Sequence, residues 1–501
     1  MVGRYPIAHV SERAFNLFDT QSRTVRPLQL GEPGHLKFYC CGPTVYSYAH
    51  IGNFRTFVSA DLVVRTAEAL GWRVTYVSNI TDVGHLTDDD VADASGEDKM
   101  EKALHSKEGE QFPNVYELAR TYGEAFIDDW QKLRLREPYV RPRATEHMRE
   151  QIVAVEHLIQ IGHAYETPTG VYFDVSKRPD YGKLSGNTDR ESLQVAVRDV
   201  VQDDNKRHPA DFALWKKDEK HLMQWFSPWG WGFPGWHIEC SAMAQRYLGD
   251  TIDLHGGGED LKFPHHECEI AQSESVTGKP FCNHWMHVKF LQIDGAKMSK
   301  SKGNYYTVRD LVDDQGRDPV ALRYALMAVQ YLKPLNFTLQ TLSDAEKNVA
   351  RIRESRRFAS KSMGRPDTAP ELAASFDTLY GEALDAMCDD LNTSVALAKA
   401  LEGVSEIFRA GERLGGDSAR AALGFLDRID ALLGIAPPEE DATATANNDG
   451  AVTELVEARQ AAKAARDFAK ADALRAEIEA LGYELRDTPE GPEVRKKTGE
   501  G

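Results

Sequence analysis

The chain has 501 residues, 42% hydrophobic and 28% charged, which is ordinary for a water-soluble protein and too long for a single core. A net charge of −18 argues against indiscriminate nucleic-acid binding but leaves room for a specific RNA partner on a local basic strip. No apolar run of about 18 residues exists, so no membrane span is expected, and Met1-Val-Gly-Arg-Tyr-Pro6 lacks the apolar core of a secretion signal.

In chain order, residues 1–35 read as an edge segment entering a first strand, Leu36-Lys-Phe-Tyr-Cys40. Next comes Cys41-Gly-Pro-Thr-Val-Tyr-Ser-Tyr-Ala-His-Ile-Gly-Asn53, a turn leading into a helix whose Phe54, Phe57, Val58 and Leu62 keep helical spacing. A helix that starts at a strand end offers free N–H groups to an anion. His50 and Asn53 flank Gly52 there, so side-chain donors sit beside a backbone that a phosphate can approach closely. A second strand at 73–80 completes a βαβ unit and implies a parallel sheet. The acidic stretch 81–110 reads as a loop leading to a helix at 115–133.

Residues 138–220 read as an insertion, with a helix at 151–161, a strand-like piece at 170–175 and a charged stretch at 199–208. The Trp-rich piece 225–236 reads as loop, because Gly and Pro interrupt any period. Strands return at 251–254 and 287–293. From 342 to 433 the pattern is helical. Residues 437–450 form a low-complexity linker. One last helix is expected over 454–481, with Gly482 as its stop.

The fold class expected is therefore α/β: a Rossmann-type parallel sheet split by an inserted domain, then an all-α bundle and a small C-terminal domain. The expected divisions are 1–135 and 221–310 for the halves of the split domain, 136–220 for the insertion, 311–341 for a connecting segment, 342–434 for the bundle, 435–450 for the linker and 451–501 for the last domain.

Two further stretches carry chemistry. Lys297-Met-Ser-Lys-Ser301, followed by Lys302-Gly-Asn304, suits a flexible polyphosphate-binding loop whose ammonium groups neutralise phosphoryl charge. His255-Gly-Gly-Gly-Glu-Asp-Leu-Lys-Phe-Pro-His-His-Glu-Cys-Glu269 is dense in metal-ligand types. If it is helical from Pro264 onward, His265 and Glu269 share one face. Cys240 precedes it and Cys41 opens the first stretch. Two thiolates, one imidazole and one carboxylate suit zinc. Singly, each thiol reads as a small buried apolar group. The six cysteines, Cys40, Cys41, Cys240, Cys268, Cys282 and Cys388, are sparse and unpatterned. They point to the reducing cytoplasm and to use as ligand or core filler rather than as disulfides.

Together these stretches resemble the class I aminoacyl-tRNA synthetases. His50-Ile-Gly-Asn53 resembles their HIGH motif, with Asn in the last position, and Lys297–Ser301 matches their KMSKS motif. The set formed by CGPTVY, GWHIECSAM, HGGGEDLKFPHHECE and KMSKS resembles the cysteinyl-tRNA synthetase family over nearly the whole chain, including Asp389-Asp-Leu-Asn-Thr393 and Leu485-Arg-Asp-Thr-Pro-Glu-Gly491.

The resemblance implies ATP-dependent ligation of L-cysteine to tRNA(Cys) through a cysteinyl-adenylate, by a monomer in the cytoplasm. It implies one Zn²⁺ held by Cys41, Cys240, His265 and Glu269, with Cys40 and His266 as rivals for two of those places. Cys268 has no assigned role. His50, Asn53, Lys297 and Lys300 would stabilise phosphoryl transfer, with Mg²⁺ bridging the phosphates. Gly52, Gly257, Asp260 and Lys300 would bind ATP; Gly257 and Asp260 lie at the adenosine. Thr44, Trp236 and His255 would frame the cysteine. Asn53 leaves a neutral amide donor where the motif has its second His. Residues 84–90 are more acidic than the family pattern, which puts that loop in doubt. The C-terminal half should read the anticodon, with Arg486 and Arg495 as candidates. The alternative activity is cysteine ligation to an amino-sugar, by relatives that lack the full C-terminal part.

Overall fold

The computed structural model describes residues 13–84, 98–187, 205–298, 303–438, 450–464, 467–481, 483–488 and 491–496. The chain opens with a hairpin, β1 (Asn16–Asp19) and β2 (Thr24–Pro27). Strand β3 (His35–Cys40) follows, then helix α1 (Ile51–Ala69) and strand β4 (Arg73–Ser78), the expected βαβ unit. Helix α2 (Lys99–Leu104) lies within the stretch read as an acidic loop, of which 85–97 are outside the described residues. Helix α3 (Val115–Lys132) packs Phe126 and Trp130 against Phe57 of α1, with ring centres 5.2 and 5.4 Å away.

The inserted region contains α4 (Met148–Gln160), β5 (Ala164–Glu166), β6 (Gly170–Phe173), β7 (Phe212–Lys217), β8 (Trp225–Ser227) and β9 (Gly230–Pro234). Its antiparallel sheet runs in the order β5-β6-β7-β9-β8. The Trp-rich piece is thus a hairpin and not the loop expected. Its glycines serve close approach instead of breaking the strand. A Cβ on Gly232 would strike the Lys216 carbonyl, and Gly230, at φ +110°, makes the turn.

Helix α5 (Trp236–Leu248), strand β10 (Leu254–Gly258), helix α6 (His265–Thr277) and strand β11 (Trp285–Val288) rebuild the first sheet. Its order is β11-β10-β3-β4 and every pairing is parallel. The strand expected at 251–254 starts at its last residue and runs on through the glycines of 256–258. The strand expected at 287–293 breaks into β11 and β12 (Leu291–Ile293). From β3 the chain steps outward to β4, and from β10 outward the other way to β11. The crevice beyond the carboxyl ends of β3 and β10 is therefore the topological switch point, where open α/β sheets bind their ligands.

After β13 (Ala296–Lys297) come α7 (Pro319–Met327) and β14 (Leu335–Phe337). The expected helical region is four helices: α8 (Leu339–Ser362), α9 (Glu371–Cys388), α10 (Thr393–Ala410) and α11 (Gly416–Leu433). Their apolar residues share one continuous core with β3 and α1. In the 389–393 motif, Asp390 and Leu391 adopt φ +58° and +48°. Asp390 accepts from Phe18 N–H (2.8 Å) and Tyr331 O–H (2.6 Å), so the motif ties the bundle to the N-terminal hairpin.

The last helix is two, α12 (Gly450–Ala464) and α13 (Phe468–Ala480). The side chain of Asp467 accepts from Lys470 N–H and starts the second, a cap the Ala-rich pattern obscured. A hairpin of β15 (Tyr483–Thr488) and β16 (Gly491–Lys496) follows, with Arg486 opposite Glu493 and Arg495 opposite Glu484. The linker expected at 437–450 lies mostly outside the described residues.

A buried charge cluster joins α1 to the bundle. Asp61 is fully buried and accepts from Arg65 Nε (2.6 Å), from the Arg323 guanidinium and from Arg136 N–H. Arg323 also donates to the carbonyls of Leu433 and Leu133, and Arg65 to those of Asp430 and Ala431. Removing one member leaves the others buried and unpaired. Asp61→Ala is expected to lose about 3–5 kcal/mol of unfolding free energy, measured by urea titration.

Candidate metal centre and anion-binding helix end

Cys41 leaves β3 with its N–H donating to the Gly256 carbonyl of β10 (3.1 Å), which extends the strand pairing by one residue. Gly42 follows because nothing larger fits: a Cβ there would sit 1.6 Å from the Asn79 carbonyl oxygen. Cys240 comes from α5, and His265 and Glu269 from the first turns of α6. Their donor atoms, all buried, lie within 4.8 Å of one another. Cys41 Sγ is 3.9 Å from Cys240 Sγ and 3.5 Å from Glu269 Oε1, and His265 Nε2 is 2.9 Å from that same oxygen. The helical i, i+4 expectation for His265 and Glu269 holds.

The charges suit a cation. The hydrogen bond from Cys41 lowers the Cys240 thiol to about 6, with His265 helping. Burial pushes the Cys41 thiol up. Burial would also raise Glu269, but the charges of His255 and His265 hold it well below the usual range. Burial works against a charged His265, yet Glu269 and Cys240 raise it to about 10. Two buried anionic donors with a proton-bearing imidazole between them form a group able to hold a metal ion in that proton's place.

Geometry sets one rival, Cys40, apart and leaves the other, His266, beside the group. Cys40 points to the other side of the strand, near Tyr76, where burial pushes its thiol up to about 12. His266 stays close: its Nε2 is 3.4 Å from Cys41 Sγ, and Cys41, His255, His266 and Glu269 make a second donor group overlapping the first. Cys268, one position before Glu269 on the helix, faces away and meets the Tyr181 hydroxyl at 3.4 Å.

Several supporting residues gave no sequence signal, because their partners are remote in the chain. His237 Nδ1 lies 2.9 Å from His265 Nδ1 and directs the other nitrogen of that ring inward. His287 bridges His266 Nδ1 (2.9 Å) and Thr20 Oγ1 (2.7 Å). Glu267 accepts from the N–H groups of Gly182, Leu184 and Ser185, pinning the insertion to α6. His255 is fully buried, with Nε2 2.7 Å from Glu269 Oε2 and its ring stacked on Trp285. Trp236 lies with its ring centre 4.4 Å from that of His265. Thr44 pairs through its backbone with Thr81, three residues past the end of β4.

The start of α1 is a reciprocal cap. His50 Nδ1 accepts from Asn53 N–H (3.1 Å), and Asn53 Oδ1 accepts from His50 N–H (3.1 Å). Accepting at Nδ1 puts the proton of a neutral ring on Nε2, and burial lowers the pKa of His50, which favours that neutral form. The Asn53 oxygen is committed to the cap, so its amide nitrogen is the group left to donate outward.

The first residues of the second motif, Lys297 and Met298, and the segment after it lie near this helix end. Ile51 N–H donates to the Tyr306 carbonyl (3.0 Å), and Met298 Cε would lie 3.4 Å from a Cβ on Gly52. Lys297 is exposed, and its carbonyl accepts from Asn304. Lys300 is outside the described residues. On β10, a Cβ on Gly257 would meet the His266 ring at 2.9 Å, and the exposed Asp260 follows in the next turn.

The family described as tRNA synthetases class I (C) catalytic domain matches residues 27–347. The fold is also similar to Mycobacterium tuberculosis methionyl-tRNA synthetase bound by methionyl-adenylate, at TM-score 0.56 and 13% identity over 84% of this chain and 94% of that one. It is similar to an Agrobacterium radiobacter K84 LeuRS–tRNA–LeuAMS complex at TM-score 0.58 and 9% identity, over 82% and 85%. The class is therefore that of the class I tRNA synthetases. Among curated proteins, the cysteine–tRNA ligase of Salinibacter ruber is 53% identical over 96% of this chain and 98% of its own length. That of Chlorobaculum tepidum is 41% identical over 97% and 99%. The chain belongs to the cysteine–tRNA ligase family.

Asn53→Ala, which removes half of the reciprocal cap, is expected to cost about 1 kcal/mol in urea unfolding. Asn53→Asp keeps the accepting oxygen and should retain that stability in the same measurement.

Proposed function

We propose that this chain joins L-cysteine to tRNA(Cys) with ATP, in two steps at one site. Family membership supports the reaction. The observation that carries the choice of amino acid is the buried Cys41, Cys240, His265 and Glu269 group opening on the same crevice as α1. In the first step the cysteine carboxylate attacks the α-phosphate of ATP and pyrophosphate leaves. In the second, the terminal ribose hydroxyl of the tRNA attacks the carbonyl of the cysteinyl-adenylate and AMP leaves.

Phosphoryl transfer asks chiefly for positioning and charge stabilisation. His50 donates from Nε2, Asn53 from its amide nitrogen and α1 from its first N–H groups. Gly52 carries no side chain to keep the phosphates away. Lys297 and Lys300 neutralise the charge that leaves with pyrophosphate, and Mg²⁺ accompanies the nucleotide. Gly257 lets the adenosine approach the strand, and the Asp260 carboxylate accepts from the ribose hydroxyls.

Zinc on Cys41, Cys240, His265 and Glu269 would supply a thiolate-binding Lewis acid that a serine hydroxyl suits poorly. Cysteine and serine differ by one atom, and a pocket relying on shape alone separates such pairs weakly. Thr44 and Trp236 frame the amino acid. His255 acts one layer back by holding the Glu269 carboxylate.

The direct test is ATP–pyrophosphate exchange that requires cysteine and ignores serine, together with charging of tRNA by labelled cysteine. Exchange with charging of an amino-sugar only would select the alternative acceptor. Cys240→Ser is expected to lower metal content and cysteine affinity together while ATP binding persists; full metal occupancy would remove Cys240 from the donor set. Lys300→Ala should slow single-turnover adenylate formation at least tenfold and leave metal content whole.

A further inference from the structure

Between Cys41 and His50 the chain comes to the surface. Val45 is buried, but Tyr46 and Tyr48 are 37% and 42% exposed. The Tyr48 ring stands edge-on to Tyr122 of α3, with centroids 4.9 Å apart, and its carbonyl accepts from the Tyr305 hydroxyl at 3.2 Å. Tyr305 in turn stands edge-on to His50 at 5.5 Å. The rings thus form a ledge that runs from α3 to the helix end assigned to the phosphates. Cations border it. Lys99 Nζ is 6.0 Å from the centre of the Tyr46 ring, and the Arg309 guanidinium, which is ion-paired with Asp128 and Asp129, lies 5.4 Å from that of Tyr48. In a chain with a net charge of −18, two exposed aromatic rings beside Lys99 fit an anionic ligand with flat faces.

We infer that Tyr46 and Tyr48 form a stacking platform for the unpaired bases at the 3′ end of tRNA, with Lys99 facing the phosphates between them. The inference rests on the tRNA-charging reading and deepens it. The ribose hydroxyl that accepts cysteine ends a single strand, and single-stranded bases gain most of their protein affinity from aromatic faces. The platform would hold that strand one step from the adenylate. It makes no base-edge contact and carries no sequence preference of its own.

The test compares wild type, Tyr46→Ala and Tyr48→Ala with Tyr46→Phe and Tyr48→Phe. Three quantities are read: the Kd for intact tRNA, the Kd for the same tRNA trimmed of its unpaired 3′ end, and the KM for ATP in cysteine-dependent exchange. The Ala variants are expected to bind intact tRNA about 5- to 100-fold more weakly. They should bind trimmed tRNA as wild type does, and keep the wild-type KM for ATP. The Phe variants should restore binding. Unchanged binding of intact tRNA overturns the platform. So does equal weakening with intact and trimmed tRNA, which places the contact elsewhere on the tRNA. A raised KM for ATP overturns it by giving the ledge to adenine. A wild-type chain that performs exchange yet charges no tRNA fails the underlying reading, and the platform falls with it.

Discussion

Glu269 is a fully buried carboxylate at the meeting point of two halves of a split sheet, and the surrounding structure is arranged to keep it charged. A carboxylate taken out of water costs several kcal/mol unless hydrogen bonds and opposite charge replace its hydration. His255 and His265 hold one oxygen each, and the Cys41 thiol approaches from β3. Each of these groups is itself a liability when buried alone. They are tolerable only as a set, and the set comes from β3, α5, β10 and α6. The outer histidines extend the same logic. His237 and His287 are held well below their usual pKa by burial, so they remain neutral and fix the rings of His265 and His266 through single hydrogen bonds.

Helix α1 carries a second constraint. Its first turn closes with a histidine–asparagine cap, and its middle is fixed by Asp61 and Arg65 to the end of α11. The capped first turn and the bundle are therefore attached to one helix. The apolar core that runs unbroken from β3 into the bundle reinforces this. The insertion is attached to α6 through the Glu267 carboxylate and the Tyr181–Cys268 contact, and its Phe173, Phe212 and Trp215 share a second apolar core with Cys41 and Cys240.

Much of this was legible in the sequence. The βαβ unit followed from apolar spacing and the Gly-Pro turn, and the donor set from four motifs in one order. Ligand types separated by helical spacing, such as His265 and Glu269, are readable because their geometry is local. What stayed hidden was of three kinds. Glycines read as strand breakers at 230–232 serve a tight turn and the close approach of two backbones. The cap at Asp467 split one alanine-rich helix into two, because a single side chain outweighed a weak propensity pattern. Long-range partners were invisible as well. Nothing near His237 or Asp390 in the sequence indicates what each meets. The identity of the residue after the first motif's glycine looked like a departure, and the cap explains how asparagine serves there.

The separation of the two thiols along the chain has its own bearing on biosynthesis. Cys41 and Cys240 are 199 residues apart, and Cys41 and Glu269 are 228 apart, with the whole insertion threaded between. During translation the first thiol emerges long before any companion, so the nascent amino-terminal half has no donor set with which to capture an ion. The centre can close only once α6 has left the ribosome and β10 has docked beside β3. Assembly of the donor group is thereby tied to completion of the split domain, and a chain stalled inside the insertion would carry Cys41 without its distant companions.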